Sequence, residues 1–285
     1  MLAKYLDALE ATGGSPKSIA TRRIMLTQFL DWMEQTTGSR DELSITSIDA
    51  ARYRKHLQDL GRKPNTVNTA LSSIDAFCAW MANEGYLTHN PVRDVKRIEV
   101  AQKAPRGLTK NEQHRLIRTA LAEKDSRNGV IVLTLLFSGL RVSELVHLTP
   151  DDVLISERAG VITVRAGKGN KYREVPIPRD LRKPLGEFLT KRRSMGRFLF
   201  EGQRDPQLTP RAVQLLCKRV GGKAKIADLT PHVLRHTMAH NLVGAGVSLD
   251  KVAVILGHSS LNTTAIYTRP RLDDLQNSME TLNYT

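Results

Sequence analysis

Gly160-Val-Ile-Thr-Val-Arg165 and Tyr172-Arg-Glu-Val-Pro-Ile177 alternate in the manner of β-strands, and the turn formers Ala166-Gly-Lys168-Gly-Asn-Lys171 lie between them. The stretch is read as a β-hairpin with a basic tip. It is a break in style, because apolar residues on both sides of it recur at helical spacing. The expected fold is therefore mainly α with a small β-sheet or hairpin, in two domains.

Upstream, Ser15-Pro16 is a helix start, followed by Ile19, Leu26, Phe29, Leu30 and Met33 on one face and by Gly38 at the stop. A second helix is expected from about Ser47, with Leu57 and Leu60 inward. A third is expected from Asn65 or Thr66 through Val67, Leu71, Ile74, Phe77 and Trp80. Asn90-Pro91 closes this block. The next stretch, 92–107, is charged, weakly periodic and contains Pro105, so it reads as a linker. Thr109-Lys-Asn-Glu112 is a capping box that opens a new helix, and an apolar helix follows from about Asn128 to Phe137. Beyond the hairpin, helices are expected at 181–192, 209–220, 230–244 and 248–256, two of them opened by Thr209-Pro210 and Thr230-Pro231. The expected division is a helical domain 1–91, a linker 92–107 and a mixed α/β domain 108–285.

The chain carries 43 Lys and Arg against 29 Asp and Glu, a net charge of +14. Most of the excess lies after residue 107, where 28 basic side chains face 17 acidic ones. Such a balance says nothing about fold and much about partners: nucleic acid is the first candidate, since each neutralised phosphate releases condensed counterions. A membrane surface is the rival, without a basic amphipathic helix or apolar anchor to support it. The two cysteines, Cys78 and Cys217, lie in apolar helical patterns and read as buried free thiols. Met1 begins a polar segment without a secretory apolar core, and no run is long enough to span a membrane. A cytoplasmic protein is expected.

Thr230-Pro231-His232-Val-Leu-Arg235-His236 puts three polar side chains at i, i+3 and i+4, on one helical face beside a helix start that favours anions. Two histidines at i, i+4 could instead chelate zinc, but no Glu follows the first in the H-E-x-x-H manner, and Arg235 between them repels a cation. Leu256-Gly-His258 and Tyr267 follow, and Arg141 precedes them in Ser138-Gly-Leu-Arg141-Val-Ser-Glu144. A phenol is a poor nucleophile at its ordinary pKa near about 10. It becomes useful when a base takes its proton and guanidinium groups fork onto the oxygens of a phosphate held for in-line attack. Together these residues can break a phosphodiester without a metal.

The same segments, with Lys168 at the hairpin tip and Thr263-Thr-Ala-Ile-Tyr267, resemble the tyrosine recombinases, or phage-integrase family. The resemblance spans the whole chain, with its specific motifs within 138–267, and is nearest to compact members of the Xer or transposon-resolvase type. It implies a helical core-binding domain and a mixed α/β catalytic domain. It implies that Tyr267 attacks the scissile phosphate to give a 3′-phosphotyrosine and a free 5′-hydroxyl. Arg141 and Arg235 would clamp the non-bridging oxygens, His258 would donate to them, Lys168 would be the general acid and His232 the tyrosine's proton acceptor. Glu144, one helical turn past Arg141, would orient Arg141 or His232. Neither metal nor ATP is implied, nor any cofactor. Lys171 competes with Lys168, and Gly167-Lys168-Gly169 fits the family's tip better. Met238 stands where the family often has an aromatic, and His240 is out of the usual register.

In the first domain, Lys17, Arg22, Arg23, Arg62 and Lys63 are candidate phosphate contacts, and Asn65, Thr66 and Asn68 candidate base or phosphate contacts. After Tyr267, Leu272, Leu275, Met279 and Leu282 recur at helical spacing. A tail helix of this kind could dock on a neighbouring protomer and close a tetramer on two DNA sites, or pack on its own domain. The function expected is site-specific DNA recombination on double-stranded DNA. The alternatives are a topoisomerase with the same active site and a DNA-binding regulator without catalysis.

Overall fold

The computed structural model describes residues 1–100, 105–165, 172–192, 196–202, 206–258 and 262–268. The chain divides into two compact units, Met1–Gln102 and Lys103–Thr285.

The first unit is all-helical: α1 (Leu2–Ala11), α2 (Pro16–Thr37), α3 (Ser47–Asp59) and α4 (Pro64–Asn83). Its core holds Tyr5, Phe29, Met33, Tyr53, Ile74 and Phe77. Helix α2 starts as its Ser15-Pro16 signal requires, with the Ser15 hydroxyl accepting from Ser18 N. Helix α1 was not expected. It has no side-chain cap; it is held by Tyr5 and Leu6, buried in the core, and by an ion pair from the Met1 amino group to Glu42. Leu60 is a correction: α3 ends at Asp59, and Leu60 lies beyond it, 57 % exposed.

The chain does not leave this unit at residue 92. Val92 is buried in its core, and Val95 and Ile98 pack on it. Asn68 on α4 holds Ile98 at both ends of the peptide, donating from Nδ2 to its carbonyl at 2.8 Å and accepting from its N–H at 2.9 Å.

The second unit opens with α5 (Lys110–Leu121), whose Thr109–Glu112 capping box has both arms in place. Helix α6 (Ser126–Ser138) is buried from Gly129 to Leu136 and at Ser138, and forms the spine of the core. It ends at Gly139, whose φ of +61° provides the left-handed stop. The short α7 (Val142–Leu145) follows at once. The sheet has three antiparallel strands in the order β1 (Val153–Ile155), β2 (Gly160–Val164), β3 (Arg173–Pro176). The hairpin register is Ile162 to Val175 and Val164 to Arg173. Strand β1 is too short to show an alternation in sequence. Its position follows from pairing with β2, with Val153 opposite Ile162. Helices α8 (Arg179–Lys191), α9 (Pro210–Lys223), α10 (Pro231–Gly244) and α11 (Leu249–Leu256) come next, then one turn, α12 (Asn262–Ala265). Both Thr-Pro signals act as caps, Thr209 accepting from Ala212 N and Thr230 from Val233 N.

Candidate active site

The site forms where four pieces of the second unit meet: the α6–α7 corner, the inner edge of β3, the first turns of α10, and the end of α11 with the turn after it. The α11 terminus organises it. Gly257, at φ +66°, closes the helix with a Schellman pattern: Gly257 N donates to Val254 O and His258 N to Ala253 O. That leaves the carbonyls of Ile255, Leu256 and Gly257 without helical partners. Three arginines take them. Arg173 Nε donates to Ile255 O at 3.0 Å, Arg235 Nη2 to Leu256 O at 2.7 Å, and Arg141 Nη2 to Gly257 O at 2.8 Å. Unsatisfied carbonyls at the negative end of a helix dipole suit cations, which explains how like charges gather here.

Arg141 precedes α7 as its N-cap. Its backbone N–H donates to Glu144 Oε2 at 2.7 Å and its Nη1 to Oε1 at 2.8 Å. Arg235 is 4 % exposed, and its Nη1 donates to Gly139 O at 2.6 Å. Burial, with Arg141 close by, pulls its pKa down to about 10, so it stays a cation at neutral pH. Glu144 is buried and bound by Arg141 and Arg173. Burial on its own would raise its pKa, and the bonds from Arg173 and Arg141 outweigh it, holding the carboxyl below the usual range.

Tyr267 is 4 % exposed and packs with Met238, Ala239, Val252 and Leu256. Met238 thus fills an apolar place beside the tyrosine. The phenol oxygen lies 2.8 Å from His236 Nδ1. The rings of His240 and His258 flank it, with centroids 5.3 and 6.2 Å from the tyrosine's. Burial raises the phenol's pKa, and Arg235 and Arg141 act against that rise. His258 Nδ1 is paired with the buried Thr264 hydroxyl at 2.8 Å. Burial and the nearby arginines, Arg235 foremost, push its pKa down to about 4, so its imidazole is neutral at physiological pH.

Of the expected catalytic residues, Arg141, Arg235, His258 and Tyr267 converge, with Glu144 beneath them. Lys168 and its rival Lys171 lie outside the described residues, as does the tail helix expected after Tyr267. The imidazole in contact with the phenol is that of His236, one turn further along α10 than the expected acceptor His232, which is exposed with its ring centroid 6.4 Å from that of His236. Glu144 holds Arg141, not His232. Its second partner, Arg173, belongs to no motif, but its register signals it: β3 alternates buried and exposed, and an arginine at an inward strand position needs a buried anion. Among the described residues, no group of three or more His, Cys, Asp or Glu could hold a metal ion.

In the first unit, Lys17 and Arg22 line a groove between α2 and α4 with Ser18, Thr21, Thr69 and Ser72. Arg22 is half-buried and bonded to the Tyr5 hydroxyl, while Arg23, Arg62, Lys63, Asn65 and Thr66 are exposed. The Asn68 amide is bonded to Ile98 through both its nitrogen and its oxygen.

Residues 106–273 match the family model described as the phage integrase family, and residues 2–85 match the phage integrase N-terminal SAM-like domain. The chain belongs to the phage integrase family. It is 32 % identical over 283 residues to the tyrosine recombinase XerA of Thermococcus kodakarensis, covering 98 % of this chain and 94 % of that one. It is 30 % identical over 284 residues to the tyrosine recombinase XerC of Neisseria meningitidis serogroup B, covering 96 % of this chain and 93 % of that one. Among solved structures, the XerH site-specific recombinase in a post-cleavage complex with a palindromic difH substrate matches with a TM-score of 0.81 at 21 % identity, over 98 % of this chain and 83 % of that one. That likeness bears on the fold. The family's mainly helical architecture with a small antiparallel sheet is the one found here. No helix among the described residues is long and apolar enough to cross a membrane.

Proposed function

We propose that this protein is a site-specific DNA recombinase that cleaves and rejoins strands through a 3′-phosphotyrosine at Tyr267. The observation that carries the reading is the convergence of Arg141, Arg235 and His258 around a buried tyrosine whose oxygen already touches an imidazole. In the first step the Tyr267 oxygen forms a bond to the scissile phosphorus as the bond to the deoxyribose 5′-oxygen breaks. The phenolic proton passes to His236, and the leaving 5′-oxygen takes a proton from Lys168. Arg141 and Arg235 hold the non-bridging oxygens and offset the charge that grows on them. Each has guanidinium N–H groups beyond those spent on backbone carbonyls. His258 is neutral, and with Nδ1 on Thr264 its Nε2–H is the donor to phosphate. His232, exposed on the same helical face, adds a further donor where DNA approaches.

Attack by another strand's 5′-hydroxyl reverses the step and joins new partners, so the chemistry is transesterification and needs no ATP. The unit Met1–Gln102 serves as the core-binding domain and the unit Lys103–Thr285 as the catalytic domain. Lys17, Arg22, Arg23, Arg62 and Lys63, with Asn65 and Thr66, serve as contacts to the duplex from the first unit. The protein works as a tetramer on two double-stranded sites, linked through its tail, in the cytoplasm.

The test is covalent capture with EDTA present. A nicked duplex, recovered by binding and trapping from a randomised oligonucleotide pool, should form a denaturation-resistant adduct with the wild-type protein and none with Tyr267→Phe. An adduct of equal yield with Tyr267→Phe would refute the assignment. Relaxation of a supercoiled plasmid lacking the selected sequence would mark a topoisomerase instead.

A further inference from the structure

Arg173 has no part in the reaction just described, yet it is a buried cation within it, 8 % exposed. Its three bonds reach two other segments of the site. The two Nη groups fork onto Glu144, Nη1 to Oε1 at 2.9 Å and Nη2 to Oε2 at 2.8 Å, while Nε reaches the Ile255 carbonyl at the end of α11. Its backbone lies on β3, the strand that returns from the hairpin tip. One planar group therefore ties the hairpin strand, α7 and the α11 terminus together.

The consequence falls on Arg141. Glu144 Oε1 accepts from both Arg173 and Arg141, and Oε2 accepts from Arg173 and from the Arg141 backbone. The carboxylate's acceptor positions are filled, so its plane is fixed by Arg173. Arg141's guanidinium is then held at two points, by Glu144 Oε1 through Nη1 and by Gly257 O through Nη2. Gly257 is part of the same arrangement: a Cβ there would stand 2.8 Å from Arg173 Nη1 and 2.9 Å from its Cζ, so any side chain at 257 displaces the guanidinium.

We infer that Arg173 is a positioning residue that aims Arg141 at the scissile phosphate by fixing Glu144 against the end of α11. The inference rests on the proposed cleavage by Tyr267. Its specific consequence for the reaction is that loss of Arg173 harms the handling of a charged phosphate and not the nucleophile.

The test compares Arg173→Lys with wild type on two versions of the captured nicked duplex, one with an ordinary scissile phosphate and one with a neutral methylphosphonate there. Lysine keeps the charge, but one nitrogen cannot reach both Glu144 oxygens and Ile255 O together. Single-turnover adduct formation on the phosphate should slow by about 100-fold, the order expected for a misplaced catalytic group, and on the methylphosphonate by no more than about threefold. Glu144→Gln should reproduce the same substrate-selective loss from the other side of the pair, and the double variant should be no slower than the slower single one. Rates are taken well below each variant's melting temperature. Equal slowing on both duplexes, or none on the phosphate, would overturn the inference while leaving the cleavage reading intact. A wild-type protein that forms no Tyr267-dependent adduct would sink both.

Discussion

Removing the Glu144 side chain takes the shared anion from two arginines of the site. The carboxylate is 1 % exposed and accepts four bonds of 2.7–2.9 Å. In Glu144→Ala, Arg173 would keep one carbonyl partner and three guanidinium groups would face each other with no anion among them. Breaking a buried ion pair from one side costs about 3–5 kcal/mol, because the remaining charge stays desolvated. For a unit of this size that corresponds to a drop of about 6–20 °C in the melting temperature. The pH dependence has a definite sign. The folded pKa of Glu144 lies below its ordinary value, so its stabilisation is fully present above the unfolded carboxyl's pKa of about 4.3 and is lost as pH falls through the folded pKa. The gap between wild type and Glu144→Ala should therefore be constant from pH 8 to about 5 and narrow in more acid solution. Urea unfolding across that range measures it. A gap under about 1 kcal/mol at pH 7, or one that does not narrow in acid, would show that the buried network is not what holds this corner.

Gly129→Ala places a Cβ 2.0 Å from the Ala120 carbonyl oxygen, so α5 and α6 must part; the loss should be about 3 kcal/mol by chemical denaturation, and a change within about 0.5 kcal/mol would contradict the close approach. Thr264→Val leaves His258 Nδ1 without its hydroxyl and frees the ring's tautomer, and should slow adduct formation about tenfold without a new pH dependence between pH 6 and 8, since the imidazole is neutral there. His236→Phe removes the phenol's acceptor; cleavage should slow and rise more steeply with pH than in wild type, and an unchanged profile would return the acceptor role to His232. Asn68→Ala releases Ile98 and should speed trypsin cleavage after Arg97 without altering the far-UV spectrum; unchanged cleavage would mean the two amide bonds do not hold the segment.

What could be read in advance was whatever local rules enforce. Ser15-Pro16, Thr109 to Glu112, Thr209-Pro210 and Thr230-Pro231 announce helix starts because the orphan N–H groups there are satisfied within a few residues, and each appears as a cap in the fold. The hairpin strands were legible through their period of two, whereas β1 was hidden, since three residues show no period and its place depends on a partner strand. The site divides the same way. Arg141, Arg235, His258 and Tyr267 were recognisable as a set through their motifs, but the bonds that orient them are not local. Which of two histidines one turn apart meets the phenol is decided by how the turn after α11 folds back, a distance of 31 residues along the chain. Arg173 shows the limit most sharply. Its inward register could be counted from the strand, and the need for a buried anion then follows, but that the anion is Glu144, 29 residues away, and that the Ile255 carbonyl takes the third bond, follows only from packing. Motifs thus identify the groups that can meet a phosphate, while their aim is set by a buried pair and by carbonyls whose side chains carry no chemistry, so substitutions at Glu144, Arg173 and Gly257 are where activity and motif content should part company.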